Sequence, residues 1–260
     1  MKSRKNTLMG TVAAGIVSLG LLATAQQGHA ALVGQWTFNE GSGTTALDSS
    51  GNNYNGTISN STYTASPGDY ALAFNGSNSS VNMGTGPTTA ITSNKVSLMT
   101  WVNVDSTFAS LTEPSIGQAS VAYWGMTFYG GSVYAYFGGG GSVSLESPLS
   151  TNTWHQIAMT YDSTVGGNNS FLYIDGAQVG ARNSTGFYNG LAFTVGMDDT
   201  GGGASFLGNI DEVRLYDHAL SGADVLSAYN IGPVVPEPQT WALLVLGAAS
   251  YLVFVRRRRV

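Results

Sequence analysis

Ile210-Asp211-Glu212-Val213-Arg214-Leu215-Tyr216 interleaves apolar and charged side chains, and the chain then turns through Asp217-His218 into Ala219-Leu220-Ser221. Apolar and polar residues mixed at this short period predict a β-strand with one face in a core. Similar short runs recur upstream: Gln35-Trp36-Thr37-Phe38, Val96 to Val102, Gln156 to Tyr161, and Phe171 to Ile174. Clusters of Gly, Asn, Asp and Ser separate them, and no helical period persists from Leu32 to Asn230. This pattern predicts an antiparallel sandwich or barrel. Asp175-Gly176 between two apolar runs predicts a hairpin, because a type I′ turn needs positive φ at both central residues. One helix is expected near the end, where Ser221 and Asp224 form a capping-box variant ahead of Val225-Leu226. No 20–50-residue repeat occurs, which excludes solenoids and propellers. Residues 31–231 therefore read as one all-β domain.

Composition agrees. The 260 residues include 35 glycines, 13 tyrosines and no cysteine, and 10% are charged. Without cysteine there is no disulfide framework, no thiolate zinc site and no thiol nucleophile. The net charge of -5 hides a segregation. Lys2, Arg4, Lys5 and Arg256 to Arg259 hold seven of the ten basic residues. Between Ala31 and Val234 only Lys95, Arg182 and Arg214 face 14 acidic residues, a net charge near −11. Counterion release from a phosphate backbone needs a basic surface, so nucleic acid is excluded as a partner.

The two ends read as processing segments. A basic start, an apolar run from Leu8 to Leu22 and the small-residue stretch Ala23 to Ala30 form the three-part pattern of a secretory signal peptide over residues 1–30. Cleavage falls after Ala30 or Ala25, with an uncleaved anchor as the alternative. At the other end, residues 232–260 carry Pro236-Glu237-Pro238, an apolar stretch from Trp241 to Val255, and Arg256, Arg257, Arg258 and Arg259. As a helix that stretch would be about 22 Å long, short of a ~30 Å hydrocarbon layer unless the arginines and Trp241 reach into the interfaces. Positive charge beyond it orients the tail to the cytoplasm and the body outside the inner membrane. The order of motif, short membrane helix and Arg cluster resembles the PEP-CTERM sorting signal of Gram-negative bacteria. That resemblance implies an exosortase as partner, tail removal near the motif, and a cell-surface or extracellular-matrix location in a maker of exopolysaccharide. A permanent anchor with a Pro-rich hinge is the alternative.

Within the body, six motifs resemble the LamG-like jelly roll of the concanavalin A-like superfamily. They are Gln35 to Gly43, Asp48 to Gly56, Ala71 to Gly76, Ser97 to Val102, Trp154 to Asp162 leading into the Tyr173 to Val179 hairpin, and Ile210 to Ser221. The resemblance implies a two-sheet antiparallel jelly-roll sandwich. It leaves function open among lectins, hydrolases and structural modules. It also implies that Trp36, Trp101 and Trp154 are core residues and that His155 is structural.

A hydrolase of this fold would need two nearby carboxylates flanking a sugar. The Glu-x-Asp-x-x-Glu motif of the glucanase members is missing. Asp198-Asp199 and Asp211-Glu212 are adjacent pairs, which a regular strand directs to opposite faces. With only His155 and His218 left in the body, a Ser-His-Asp site has few candidates. Calcium requires several oxygens on a bent backbone, and Asp48 opens a loop rich in Asn and Gly. The family resemblance implies one structural calcium between the first loop and the last strand. Its candidate ligands are Glu40, Asp48 and Asp211, with carbonyls from Asn53 and Gly56. The alternatives are an Asx-turn for Asp48 and, for Asp211, pairing with Arg214 or backbone amides. For sugar stacking the candidates are Tyr123, Trp124, Tyr129, Tyr134 and Tyr136, with Tyr134 and Tyr136 on one strand face and Phe137 on the other. A sandwich core could also absorb these rings.

The sequence thus reads as a non-catalytic exported surface protein that binds exopolysaccharide or another glycan. A structural or adhesive protein without a sugar site, and a glycoside hydrolase of the same fold, are the competing readings.

Overall fold

A computed structural model describes residues 31–66, 69–107, 115–117, 124–138, 143–184, 186, 190–197 and 206–232. The expected signal peptide and the tail beyond Gly232 lie outside these residues. In chain order the first strands are β1 (Leu32–Trp36), β2 (Thr45–Ala46), β3 (Gly56–Ser59), β4 (Thr62–Ser66), β5 (Asp69–Asn75) and β6 (Ser80–Asn82). After one helical turn, α1 (Gly86–Thr89), come β7 (Lys95–Val104), β8 (Ser115–Gly117), β9 (Trp124–Tyr129), β10 (Ser132–Phe137) and β11 (Val143–Pro148). The last elements are β12 (Trp154–Asp162), β13 (Ser170–Ile174), β14 (Ala177–Arg182), β15 (Thr194–Val195), β16 (Leu207–Tyr216) and α2 (Gly222–Ile231).

These strands form two eight-stranded antiparallel sheets. The first runs β14-β13-β12-β7-β16-β5-β4, with β1 also paired to β16; the second runs β11-β10-β9-β8-β15-β6-β3-β2. The all-β two-sheet sandwich expected from the sequence is the observed fold. Alternation decides what lies between the sheets. On β7, Val96, Leu98, Val102 and Val104 enter the central core beside Phe128, Phe137 and Val213. Met99 on the opposite face joins Ala158, Tyr173 and Val225 beneath α2. Trp36 is fully buried in the central core and stacks on Phe193 with centroids 5.3 Å apart. Trp101 is also buried, but it lies under α2, stacked on Tyr229 at 5.7 Å, rather than between the sheets. Trp154 is only half-buried, because it opens β12 at the sheet margin.

Both local turn signals are realised. Asp175 and Gly176 have φ of 52° and 75°, and Ile174 pairs with Ala177 across the two-residue turn. At α2 the Ser221 side chain accepts from the Asp224 amide, and the Asp224 carboxylate accepts from the Ser221 amide. Caps of this type stabilise a helix by about 1 kcal/mol.

β16 departs from a regular strand. Its first half pairs with β5 and its last residues pair with β1, while β7 runs along its other side. The hand-over falls at Asp211 and Glu212, where the register with β7 shifts and Glu212 takes φ of 51°. Ile210 and Val213 both enter the core, so the bulge places both intervening carboxylates on the outer side. The expectation that Asp211 and Glu212 point to opposite faces is therefore corrected: a bulge suspends alternation for one residue.

Candidate functional site

The two-residue turn Gly130-Gly131 joins β9 to β10 with φ of 59° and 84°, which glycine adopts without steric cost. The turn sets Tyr129 opposite Ser132, and every later pair follows: Thr127 faces Tyr134 and Gly125 faces Tyr136. Trp124, Met126, Phe128, Val133, Ala135 and Phe137 all enter the core. Their alternates Tyr129, Tyr134 and Tyr136 therefore emerge together on the outer face of the second sheet. Tyr129 is 50% exposed, and the other two are half-buried. The Tyr129 and Tyr134 rings lie 6.5 Å apart; Tyr134 and Tyr136 lie 6.3 Å apart with planes 24° from parallel. Glu146 of β11 sits opposite Tyr134, whose hydroxyl donates to Oε1 at 2.8 Å. That hydrogen bond raises the Tyr134 phenol above its ordinary pKa and fixes the ring's tip. The result is a row of three amphipathic rings with one anchored carboxylate.

Trp124 does not belong to the row. It is 1% exposed and packs 6.2 Å from Phe193. Its even position on a strand whose exposed aromatic is Tyr129 puts it on the inner face. Tyr123 lies outside the described residues, as do Asp198, Asp199 and the sorting residues Pro236, Glu237, Pro238 and Arg256 to Arg259. Sequence reasoning also missed Glu146, since the cross-strand register that brings it to Tyr134 has no local signature.

The candidate calcium ligands occupy three separate hydrogen-bond systems. Asp48 accepts the amides of Gln35 at 3.0 Å, Ser50 at 2.9 Å and Tyr54 at 2.9 Å. Hydrogen bonds from Ser50, Gln35 and Tyr54 outweigh burial and hold its pKa below the ordinary value; this is the Asx-turn reading. Glu40 accepts the Leu47 amide at 2.7 Å and the Tyr63 hydroxyl at 3.1 Å. Asp211 accepts the Ser66 hydroxyl at 2.9 Å and the Glu212 amide at 2.8 Å. Asn53 supplies the positive φ that bends the Asp48 loop, and Gly56 opens β3. Among the described residues no three His, Cys, Asp or Glu side chains assemble into a group that would hold a metal ion. Asp48 is engaged by three backbone amides, whereas Glu40 and Asp211 each accept one amide and one hydroxyl, so each candidate carboxylate is held by its own protein donors.

Asp211 and Glu212 instead form a buried acidic cluster with Asp69. Burial, reinforced by Asp69 and Glu212, pushes the Asp211 carboxyl up to about 8 despite the Ser66 bond. Burial also raises Asp69 and Glu212. Arg214 binds Glu212 Oε2 at 2.8 Å, an ion pair that is itself buried. Glycosidase chemistry needs two carboxylates facing an open cleft, and Asp211 and Glu212 are enclosed.

A second constellation lies at the start of β12. The Ser150 hydroxyl is 2.5 Å from His155 Nε2, and His155 Nδ1 is 2.8 Å from Asp175 Oδ2. Asp175 Oδ1 accepts the Gln156 amide at 3.0 Å. The hairpin turn at Asp175-Gly176 brings its carboxylate back beside the first residues of β12.

A family model described as the concanavalin A-like lectin/glucanase superfamily matches residues 75–226. No curated protein matches the chain in sequence. Among solved structures, the fold resembles the binding domain of Paraclostridial Mosquitocidal Protein 1, with a TM-score of 0.60 at 16% identity over 76% of this chain and 52% of that one. It also resembles the receptor binding domain of botulinum neurotoxin C/D mosaic serotype, with a TM-score of 0.60 at 14% identity over 78% of this chain and 51% of the other. The chain thus spans about half the length of these toxin domains. Domain 4 of AbnA, a GH43 extracellular arabinanase from Geobacillus stearothermophilus, in complex with arabinotriose, is similar with a TM-score of 0.57 at 22% identity over 75% of this chain and 97% of that domain.

Proposed function

Since the chain belongs to the concanavalin A-like lectin/glucanase superfamily, we propose that it is a module that holds a carbohydrate, without cleaving its glycosidic bonds, on the Tyr129, Tyr134 and Tyr136 row. The observation that carries this reading is the row itself: three rings on an outer sheet face, with Tyr134 oriented by Glu146. Aromatic faces pack against the C–H faces of sugars while phenol and carboxylate meet hydroxyls. The arabinotriose complex of the AbnA domain supports a glycan over another small ligand. Charge supports an uncharged polymer. Of the three basic residues in the body, Lys95 is paired to Asp162 at 2.9 Å and Arg214 to Glu212 at 2.8 Å. Arg182 sits on β14, an edge strand of the opposite sheet.

Affinity electrophoresis through neutral and acidic polysaccharides tests this. Retardation is expected in at least one neutral polymer, and each of Tyr134→Ala and Tyr136→Ala weakens it about 2- to 12-fold, the equivalent of ~0.5–1.5 kcal/mol per aromatic contact. Retardation unchanged in the double variant would move the site elsewhere.

The terminal segments support an exported protein that reaches the surface through a membrane-anchored precursor and is trimmed by an exosortase at Pro236-Glu237-Pro238. Intact-mass analysis of the surface form is expected to show a start at Ala31 or Gln26 and loss of Arg256 to Arg259. A surface form that keeps the arginines would identify a permanent anchor.

A further inference from the structure

We propose that Ser150, His155 and Asp175 form an acyl-transfer relay that accepts the acyl group of a short-chain carboxylic ester. The geometry assigns a role to each atom. His155 Nδ1–H donates to Asp175 Oδ2 at 2.8 Å, which leaves the Nε2 lone pair directed at the Ser150 hydroxyl at 2.5 Å. This is the order of contacts in which an imidazole acts as general base on a serine, and it is recognised by geometry rather than by sequence position. Asp175 is doubly tied, since its Oδ1 accepts the Gln156 amide and its own amide donates to the Gln156 carbonyl. Its carboxylate is thereby held in line with the ring. The three residues come from three places in the fold: the loop after β11, the start of β12, and the β13–β14 turn.

Access favours a small ester. Ser150 is exposed, while the His155 side chain keeps only 14% of its surface in solvent. A hydroxyl on an open loop beside a shielded imidazole is reached by an ester that projects from a larger molecule, such as an O-acetyl group on an alcohol or a sugar. Asp175, at 33%, is more exposed than the imidazole it orients, so its charge is partly screened and the relay is expected to be slow.

The step balances without a cofactor. The Ser150 proton moves to His155 Nε2 as Oγ bonds to the carbonyl carbon. The carbon–alkoxy bond then breaks, and the alcohol leaves with that proton. Water next adds to the acyl-serine, giving its proton to Nε2; the carboxylic acid departs and Ser150 regains its hydrogen.

A fluorophosphonate probe and p-nitrophenyl acetate test the proposal on the full-length protein. Wild type is expected to take one probe adduct, mapped to Ser150 by peptide mass, and to release p-nitrophenol above the buffer rate. Ser150→Ala, an exposed loop change expected to leave circular dichroism unaltered, abolishes both, and His155→Gln slows both at least 100-fold. Asp175 is a positioning residue. Asp175→Asn tolerates the same turn and is expected to lower kcat at least tenfold with KM and Tm unchanged, a split that a purely structural clasp would not produce. Folded wild type that takes no adduct, an adduct on another residue, or release that persists in Ser150→Ala overturns the proposal.

Discussion

Between pH 5 and 8 the melting temperature of this protein is expected to fall steadily, and Asp211→Asn is expected to flatten that fall. The cause is the buried acidic cluster at the bulge of β16. The Asp211 carboxyl has a folded pKa of about 8, raised chiefly by burial, against an ordinary 3.8. Between these values the unfolded chain gives up its proton while the folded chain keeps it. Folded stability therefore declines with rising pH, by up to about 1.4 kcal/mol per pH unit for a single group. The contribution is fully present below pH 3.8 and is lost as pH rises through 8. Burial shifts Asp69 and Glu212 in the same upward direction, so each adds to the decline as pH rises above its ordinary carboxylate value. Asp48 and Asp162 are shifted downward by their hydrogen bonds. Their contribution is present above the ordinary carboxylate value and lost in acid, so it leaves the window above pH 5 untouched. Calorimetric melts at half-unit steps measure the slope, and a Tm independent of pH from 5 to 8 would sink the argument. Repeating the series with calcium probes the same cluster. A calcium-dependent rise in Tm at pH 8 that Asp211→Asn removes would show that these carboxylates take a cation after all.

Trp36→Ala is expected to produce the largest loss of stability of any single side-chain truncation considered. Trp36 is wholly buried, stacks on Phe193, and donates its indole N–H to the Tyr54 carbonyl at 2.8 Å. Removing it leaves a cavity between the sheets and an acceptor without its donor; such truncations cost about 3–5 kcal/mol. For a domain of this size that lowers Tm on the order of 10 °C. Trp36→Phe keeps most of the stack but loses the bond to Tyr54, so about 1–2 kcal/mol is expected. The difference between the two variants separates the cavity from the hydrogen bond. Equal, small effects for both would mean that the Asp48 loop, bridged to Trp36 across an isolated β-pair, holds β1 in place without the indole.

How much of this was legible beforehand depended on range. Asp175-Gly176 and Ser221-Asp224 announced a turn and a cap, because their geometry is set within four residues. Tyr134, Tyr136 and Phe137 were sorted correctly between faces by parity alone. The same parity, applied from Tyr129, separates Trp124 from the row. Trp124 and Tyr129 are an odd number of positions apart, and a strand shows only alternate residues to one ligand. The bulge at Asp211 and Glu212 escaped alternation because it arises where β5 gives way to β1, and neither partner is near in sequence. The pairing of Tyr134 with Glu146, and of His155 with both Ser150 and Asp175, likewise depends on strand register.

By itself the sequence determined the fold class, the acidic body with its basic ends, and the two local turns. These follow from composition and from periods of two, which act over neighbouring residues whatever the rest of the chain does. Only the tertiary structure decided which rings reach solvent and which carboxylates lose it. It also decided that the amides of Gln35, Ser50 and Tyr54 close on Asp48. Burial and cross-strand distance are properties of residues far apart in the chain, and they exist only once both sheets have closed on the core.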